Sequence, residues 1–439
     1  MKKNLTIIFF ANFFTLLSGV VTSLLTAWAL GPEGRGDLAI VVLYPNVVAL
    51  AVGFGLPQAH RYYLAREPEE ISSLFSNALI FAAVLGVLAF GAAELIVPSL
   101  IGARSEAVMW MVKIYLVNIP LALLYDLMAG MLEGSRQFKW SALARIVFFG
   151  IQSIAYFLLW TFGHLTVYTA ALTMIVAQTA NTLTALASVC RVLRPRWQPS
   201  WTTWKKAIGY GLKYHVGVLT SFTTLRLDQL MLGAMATSVE IGLYVVAVRL
   251  SEITTVLASS IAEVLMPEVA ASKHAEQSAQ LLMRSLRLMV YVYVLILVPL
   301  ILIGPLILEF AFGAEFLAAA GTLRLLLVAS MVWSIGAIVI SGLNGFGYPG
   351  LSTVSRLSSA VVTVCALLYW LPRYGIVGAA LSSLVGYSVM LAVSLFWLVR
   401  KNNISLGELF RPRLDDIPIR KVYDHFKIRF QFRNANKYI

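Results

Sequence analysis

The stretch GYGLKYHVGVLTSFTTLRLDQLMLGAMA, residues 209–236, decides the class of fold, because it is mostly apolar and yet carries ionisable groups. These groups are Lys213, His215, Arg226 and Asp228. At 3.6 residues per turn, its polar and small residues fall on one stripe of a helix. That stripe contains Tyr210, Tyr214, Gly217, Ser221, Thr224 and Asp228. Because ionisable groups inside a membrane turn toward a polar interior, the stretch predicts a membrane helix that forms a wall of a transport route.

Apolar runs of similar length recur along the whole chain. Of the 439 residues, 59% are hydrophobic and only 13% are charged, which argues against a soluble domain with one large core. The sequence predicts an all-α polytopic membrane protein with about twelve transmembrane helices. The predicted spans are residues 5–30, 38–56, 74–101, 107–132, 142–161, 165–190, 207–235, 241–266, 288–308, 322–343, 357–371 and 375–399.

Basic residues lie mainly on one side of these predicted spans. The chain has 34 Lys and Arg against 21 Asp and Glu, a surplus that in a soluble protein would suggest nucleic acid. Most of these cations fall in the loops of one side and in the segment from Arg400 onward. By the positive-inside rule, this asymmetry places both termini in the cytoplasm. The basic surplus is therefore interpreted as a topological signal, and no nucleic-acid partner is expected.

Short matching segments in the sequence predict an internal repeat. At an offset of 211 residues, Gly102, Ala103 and Lys113 match Gly313, Ala314 and Arg324, and Glu133, Gly134, Ser141 and Arg145 match Asn344, Gly345, Ser352 and Arg356. The shared offset predicts two six-helix halves related by a pseudo-two-fold axis along the membrane normal. The predicted organisation is an N-terminal half 1–190, a basic cytoplasmic linker 191–206, a C-terminal half 207–399 and a basic cytoplasmic tail 400–439.

Spans seven and eight form the most charged hairpin of the chain. In an antiparallel hairpin, residues equally far from the turn lie at the same depth in the membrane. This predicts Asp228 beside Arg249 and Arg226 beside Glu252. One interpretation is two interhelical ion pairs that only lock the hairpin. The other is that the charges face a cavity. In that case the candidates are Lys213, Arg226 and Arg249 for an anionic substrate, with Tyr210 and Tyr214 for its polar part, and Asp228, Glu252 and Glu263 for a coupling proton or sodium ion.

Four further cations form two pairs related by the repeat. Lys113 and Arg324 lie near the outer ends of spans four and ten, and Arg145 and Arg356 lie near the inner ends of spans five and eleven. These side chains either snorkel to the lipid headgroups or form basic sites that meet a pyrophosphate. Asn12 belongs to a polar stripe on span one, which indicates either close helix packing or the lining of a cavity.

The sequence lacks the motifs of enzymes and of metal sites. It has no phosphate-binding glycine-rich loop with a lysine, no zinc motif and no recognisable nucleophile arrangement. The predicted outer loops are short, which leaves little room for the active site of a membrane glycosyltransferase or polysaccharide polymerase. We therefore expect a protein without enzymatic activity, cofactor or metal.

Several of these segments resemble the polysaccharide transporter family of the multidrug/oligosaccharidyl-lipid/polysaccharide exporter superfamily, the group that contains Wzx-type O-antigen flippases. The segments are LGPEGRGDLA at 30–39, GLPQAHRYYLAR at 55–66, LRLDQLMLGAMATSVEIGLYVVAVRLSEI at 225–253, EFAFGAEFLAAAGTLRLLL at 309–327, GLNGFGYPG at 342–350 and YGIVGAALSS at 374–383. Asp228 stands where the family usually has an acidic residue in that helix.

The resemblance implies a multi-pass flippase of the bacterial inner membrane. Its expected substrates are undecaprenyl-pyrophosphate-linked oligosaccharides, moved outward by alternating access for O-antigen and lipopolysaccharide, capsule or exopolysaccharide synthesis. Expected partners are this polyprenyl-pyrophosphate lipid, membrane lipids, and polysaccharide polymerase and chain-length proteins. The alternatives are a multidrug or cation antiporter of the same superfamily and, from a different class, a membrane glycosyltransferase or polysaccharide polymerase.

Overall fold

A computed structural model of the protein describes residues 2–102, 104–271, 275–402 and 407, and most of their side chains. Within these residues the regular structure is helical and contains no strand, which confirms the all-α prediction. The helices are α1 Lys2–Val52, α2 Leu56–Arg66, α3 Ile71–Leu100, α4 Glu106–Tyr115, α5 Asn118–Gly134, α6 Phe138–Thr161, α7 Val167–Val192, α8 Trp201–Met235, α9 Ser238–Glu252, α10 Thr255–Ala271, α11 Ala275–Ile307, α12 Ala320–Gly345 and α13 Pro349–Asn402. The predicted basic tail lies almost entirely outside the described residues.

Among the described residues, eight helical segments are long and apolar enough to cross a membrane, or nine if the bent pair α9 and α10 is one span. Two of them each contain two predicted spans. Gly31 in α1 and Gly375 in α13 have φ angles of 62° and 52°, a left-handed conformation that favours glycine. Gly31 breaks its helix between predicted spans one and two, and Gly375 breaks its helix at the first residue of predicted span twelve. The predicted seventh span lies on α8, whose polar residues lower its hydropathy. Each of the twelve predicted spans thus falls on helical structure.

Contacts divide the chain into two compact units. Unit 1 comprises Met1–Arg249, Gly304–Leu323 and Thr363–Ser383, and unit 2 comprises Leu250–Ile303, Arg324–Val362 and Leu384–Ile439. These are groups of mutually contacting residues, and the arrangement of two symmetric six-helix halves stays a prediction.

One hydrogen bond recurs at the repeat offset. In unit 1, Ser141 Oγ donates to Glu133 Oε1 at 2.8 Å, and in unit 2, Ser352 Oγ donates to Asn344 Oδ1 at 2.7 Å. In both places the bond joins the end of one helix to the start of the next. The matching segments therefore form the same hydrogen bond in each unit. The accepting residue is charged in unit 1, where it is Glu133, and neutral in unit 2, where it is Asn344.

Two glycines allow α1 and α9 to cross at backbone contact in unit 1. A Cβ atom on Gly36 would overlap the carbonyl oxygen of Ser238, and a Cβ atom on Gly242 would overlap the carbonyl oxygen of Pro32. Beside this crossing, Ser238 Oγ donates to Asp37 Oδ1 at 2.5 Å. The segment that carries the family resemblance at 30–39 thus has a packing role.

The predicted linker 191–206 is held against α3. Backbone amides of Gln198 and Ser200 donate to Ser76 Oγ at 2.7 Å and to Asn77 Oδ1 at 3.2 Å. Asn77 Nδ2 donates back to the Ser200 carbonyl oxygen at 2.9 Å. Ser200 also caps α8, since its Oγ accepts from the amide of Thr203. The start of α8 is therefore fixed by the side chains of α3.

Unit 2 contains a buried hydroxyl cluster. The Tyr293 ring of α11 is buried, and its hydroxyl lies 2.5 Å from Ser334 Oγ of α12. It also donates to the carbonyl oxygen of Thr254, which precedes α10, at 3.1 Å. Because a buried hydroxyl without a partner costs roughly 1–3 kcal/mol, this cluster fixes the relative positions of these helices.

Helix α2 contains a buried histidine that makes stability depend on pH. Burial lowers the pKa of His60 from 6.5 to about 4, and a hydrogen bond to the Leu127 carbonyl oxygen offsets part of this shift. Since the unfolded chain takes up the proton first, the free energy of unfolding falls by about 3 kcal/mol as the pH drops from 6.5 to 4. We expect His60→Gln to remove this loss, measured as thermal midpoints against pH. The exposed His164→Gln is the control, and equal pH profiles for parent and His60→Gln would contradict the prediction.

Candidate functional site

Asp228 of α8 is held by hydroxyl and amide groups in unit 1. The side chain is 6% exposed. Tyr244 Oη donates to its Oδ2 at 2.5 Å, Ser383 Oγ donates to the same oxygen at 3.3 Å, and the Gln229 amide donates to Oδ1 at 2.7 Å. Arg226 lies close enough to interact with the carboxylate electrostatically. Asp228 is thus positioned by three elements of the chain, α8, α9 and α13.

Equal depth in the hairpin predicts Arg249 beside Asp228. Arg249 interacts electrostatically with Arg35, and Arg226 and hydroxyl groups lie around Asp228. The pairing of Arg249 with Asp228 stays a prediction. The Nη2 atom of Arg35 donates to Ser23 Oγ at 3.4 Å. Two cations therefore approach one another in this part of unit 1. The roles of Asp228, Arg226 and Arg249 in transport stay predictions.

Two of the predicted site residues meet directly. Arg145 Nη1 of α6 donates to Asn12 Oδ1 of α1 at 2.9 Å. Arg145 also hydrogen-bonds to the hydroxyl of Tyr125 in α5. The guanidinium group thus lies among three helices, and Asn12 contributes a polar contact rather than a small packing surface.

A further group of charges was not singled out as a site from the sequence. Arg61 Nε of α2 lies 2.7 Å from Glu133 Oε2 of α5, whose other oxygen accepts from Ser141. Asp126, two turns before Glu133 on α5, interacts electrostatically with both. The available signal in the sequence is the position of Arg61 in the segment 55–66, which resembles the transporter family.

A cavity of about 190 Å³ adjoins this group. Its polar lining residues are Gln58, Arg61, Asp126 and His215, and its larger apolar ones are Leu50, Phe81, Leu123, Leu127 and Val218. His215 Nε2 lies 3.0 Å from the carbonyl oxygen of Ala51. The cavity therefore brings together the end of α1 with α2, α3, α5 and α8, all in unit 1.

An aromatic cluster lies where α2 meets α8. The rings of Tyr62 and Tyr210 are stacked with centroids 4.4 Å apart, and Tyr63 meets both edge to face. Next to them, Tyr63 Oη donates to the carbonyl oxygen of Lys206, and Lys206 Nζ lies 3.7 Å from Glu67 Oε2. The predicted site residue Tyr210 is thus part of the contact between α2 and α8.

The stacked pair should contribute measurably to stability. Such pairs are worth about 0.5–1.5 kcal/mol beyond the area that they bury. In a double-mutant cycle of Tyr62→Ala and Tyr210→Ala, we expect a coupling energy of about 1 kcal/mol from thermal or denaturant unfolding. Tyr214→Ala, an exposed tyrosine on the same helix, should show no coupling to Tyr62. Strictly additive effects of the two changes would refute a stabilising role of the stack.

The remaining predicted residues differ in their exposure. Lys213 and Tyr214 are exposed on α8, Lys113 is half-buried on α4, and Glu252 is half-buried at the end of α9. In unit 2, Arg324 is exposed with its Nε 3.4 Å from the Ile301 carbonyl oxygen, and Arg356 is half-buried. The side chain of Glu263 lies outside the described residues. Among the side chains that are described, no cluster of His, Cys, Asp or Glu is placed to hold a metal ion.

These features define an all-α, multi-pass membrane protein with charged and amide side chains between its helices. The family model described as "Polysaccharide biosynthesis protein" matches residues 25–321. The chain belongs to this family, within the polysaccharide transporters of the multidrug/oligosaccharidyl-lipid/polysaccharide exporter superfamily, as the resemblance predicted.

Two curated relatives align with part of the chain. The probable low-salt glycan biosynthesis flippase Agl15 of Haloferax volcanii is 22% identical over 198 residues, which cover 44% of this chain and 41% of that protein. The uncharacterized membrane protein MJ1068 of Methanocaldococcus jannaschii is 29% identical over 114 residues, 25% of this chain and 22% of that protein. The chain thus spans less than half the length of the curated relatives that it matches.

Solved structures share the fold. Lipid II flippase MurJ in an inward-closed conformation matches with a TM-score of 0.76 and 16% identity over 91% of this chain and 88% of that chain. An inward-facing multidrug resistance MATE family transporter of the MOP superfamily matches with a TM-score of 0.73 and 16% identity, covering 89% and 94%. At these identities the matches show the fold alone.

Proposed function

We propose that this protein is a flippase that moves lipid-linked oligosaccharides across the membrane by alternating access. The observation that carries the proposal is the contact of Arg145 with Asn12 between α6 and α1, because a guanidinium group on a membrane helix needs a polar route or partner. Membership of the polysaccharide biosynthesis family supports a saccharide substrate. The description of the Haloferax relative as a probable flippase supports translocation.

In the proposed mechanism, cations receive the phosphate groups of the substrate. Guanidinium groups bind phosphate oxygens in a bidentate manner, and we assign this role first to Arg145 and then to Arg226 and Arg249. Tyr210 and its stacked neighbour Tyr62 supply flat faces for sugar rings at the α2 and α8 contact. Asp228 is our candidate for the coupling ion, since its oxygens are held in place by Tyr244 and Ser383.

The carrier lipid, the cellular location and the pathway are proposed from the resemblance to the polysaccharide transporter family. We propose undecaprenyl pyrophosphate as the carrier, the bacterial inner membrane as the location, with both termini in the cytoplasm, and O-antigen, capsule or exopolysaccharide synthesis as the pathway. Polymerase and chain-length proteins are the proposed partners. Carriers with polyprenyl chains of other lengths should also be moved, because the polyprenyl chain would stay in the bilayer while only the head group passes through the protein.

The test is movement of a fluorescent polyprenyl-pyrophosphate oligosaccharide in proteoliposomes that contain the full chain. We expect outward movement by the parent and reduced movement by Arg226→Ala, Arg249→Ala and Asp228→Asn. If the three variants move the lipid as fast as the parent, the flippase proposal stands and these charged residues have a structural role only. A folded parent that moves no such lipid but exports a cationic dye would overturn the proposal in favour of the antiporter.

A further inference from the structure

The linker of residues 191–206 lies at the ends of two membrane helices. It follows α7, and its backbone is bonded to the first turns of α3, and both helices are long and apolar enough to cross a membrane. The amide of Arg196 donates to Ser72 Oγ at 3.0 Å. The amide of Gln198 donates to Ser76 Oγ at 2.7 Å. Because spanning helices end at the lipid headgroups, these bonds hold the linker at the surface of the bilayer.

The path of the linker is defined although it contains no regular structure just before α8. The φ angle of Arg194 is 50°, a left-handed conformation that is uncommon for a residue with a side chain. Such a conformation persists where surrounding contacts hold the chain. Further along, Asn77 of α3 both accepts from and donates to the backbone of Ser200. The side chains of the linker therefore project from a backbone that α3 holds in place.

The linker carries five cations and no carboxylate. All five are exposed, and they are Arg191, Arg194, Arg196, Lys205 and Lys206. The nearby glutamates lie between α2 and α3. Glu67 Oε2 lies 3.7 Å from Lys206 Nζ, and Glu70 accepts from Thr203 Oγ1 at 2.7 Å, while Glu69 is exposed. The three arginines form no ion pair with any residue that the structure describes, so their charge is available to an anion.

The three tryptophans of the linker differ in their surroundings. Trp204 packs on Phe81 of α3, with ring centroids 5.4 Å apart. Trp197 and Trp201 are instead 64% and 67% exposed, and Lys205 Nζ lies 5.3 Å from the ring centre of Trp201. Indole rings favour the headgroup level of a bilayer, because one part of the ring is apolar and the N–H is polar. Exposed indoles beside exposed cations at this depth are typical of a surface that binds anionic lipid.

We propose that the linker is a binding surface for anionic phospholipids of the leaflet that it faces. The lipid phosphates bind Arg194 and Arg196, and Trp197 and Trp201 insert into the headgroup layer beside them. Because the linker leads directly into α8, the bound lipid stabilises the start of that helix. Lipid binding at this surface does not depend on whether the protein is a flippase.

A small free anion matches the linker less well than a lipid surface. Salt screens exposed cations, so they attract a leaflet with many negative charges more strongly than a single inorganic phosphate. The two exposed indoles add apolar contact that inorganic phosphate cannot provide. The combination of charge and indole therefore favours phospholipid.

The experiment compares the purified full chain in nanodiscs of phosphatidylcholine with and without phosphatidylglycerol. The variant is Arg194→Gln with Arg196→Gln. The matched control is Arg136→Gln with Lys139→Gln, which removes two exposed cations at the connection of α5 and α6. We expect phosphatidylglycerol to raise the thermal midpoint of parent and control by several degrees, and less at high salt. The variant should lose most of this gain, whereas a purely structural role of the two arginines would lower the midpoint equally in both lipids.

Fluorescence quenching identifies the lipid beside the linker. A fluorophore is attached at the exposed position Gln198→Cys, after the two free cysteines are replaced by Cys190→Ser and Cys365→Ser. Phosphatidylglycerol or phosphatidylcholine with brominated acyl chains is then titrated at equal bromine content. We expect brominated phosphatidylglycerol to quench more strongly. Its apparent affinity should fall by about tenfold when Arg194 and Arg196 are both replaced by glutamine.

Three results would overturn the proposal. One is equal quenching of the parent by the two brominated lipids, and this measurement decides alone if the variant does not fold. The second is an equal loss of the thermal gain in variant and control, which would indicate a general effect of charge. The third is the same gain from inorganic phosphate in phosphatidylcholine alone, which would indicate a site for small anions. None of these measurements involves lipid flipping, so the flippase proposal stands or falls by its own test.

Discussion

Replacing Arg145 by glutamine is expected to lower the rate of lipid-linked saccharide translocation by tenfold or more while the protein stays folded. The guanidinium group lies between Asn12 of α1 and Tyr125 of α5. Hydrogen bonds to charged groups contribute about 1.5–3 kcal/mol, and 1.4 kcal/mol corresponds to a factor of ten in rate or affinity. Glutamine keeps a hydrogen bond to Asn12 but removes the charge that would attract a pyrophosphate.

The measurement is the initial rate of flipping in proteoliposomes, normalised to folded protein. Arg356→Gln is the matched control, because Arg356 occupies the position of Arg145 in the predicted repeat, 211 residues later. We expect the control to retain most of the rate. Arg145→Lys should recover part of it, since lysine restores the charge without the planar fork. Equal rates for the parent and Arg145→Gln would reduce Arg145 to a headgroup anchor.

Replacing Gly36 by leucine is expected to abolish folded protein altogether. The backbones of α1 and α9 touch at this point, so that even a Cβ atom overlaps the carbonyl oxygen of Ser238. Backbone contact of this kind has no flexible side chain that could move aside. Overpacking in a well-packed site typically costs about 1–3 kcal/mol, and separating two helices costs more, which is comparable with the whole stability of a domain. Gly242→Leu should behave in the same way.

The measurement is the fraction of monodisperse protein after detergent extraction, followed by the thermal midpoint of whatever remains. Gly150→Leu in α6 is the control, because a Cβ atom there meets nothing within 4 Å. Gly36→Ala should be intermediate and should leave a destabilised protein. Normal yields of both leucine variants at the crossing would show that α1 and α9 do not approach so closely.

The helices were predictable from sequence because each depends on local composition. Apolar runs of sufficient length placed every predicted span on helical structure. The helix breaks at Gly31 and Gly375 lie in or next to the short gaps between neighbouring spans. The similarity between the segments of Glu133 and Asn344 corresponds to one recurring hydrogen bond, because each of these residues accepts from a serine eight residues later. The repeat of six-helix halves stays a prediction.

The candidate site was only partly predictable, because its contacts join distant segments. Arg61 and Glu133 are 72 residues apart, and Asp228 and Ser383 are 155 residues apart. In the hairpin of α8 and α9, residues equally far from the turn lie at equal depth, so the sequence predicts that Asp228 contacts α9. Tyr244 of α9 is one of its partners. No periodicity within a helix indicates which residue of α13 completes the group. The cavity at Asp126 likewise exists only once α2 is packed between α5 and α8.

The hydrogen bonds between the linker and α3 bear on how the chain is made. Ser76 and Asn77 emerge from the ribosome long before residues 198–200, so their side chains are already in place when the linker appears. The nascent C-terminal part then begins α8 from a fixed point. We expect a chain with Ser76→Ala and Asn77→Ala to lose these contacts, so that the side chains of α3 no longer fix the start of α8.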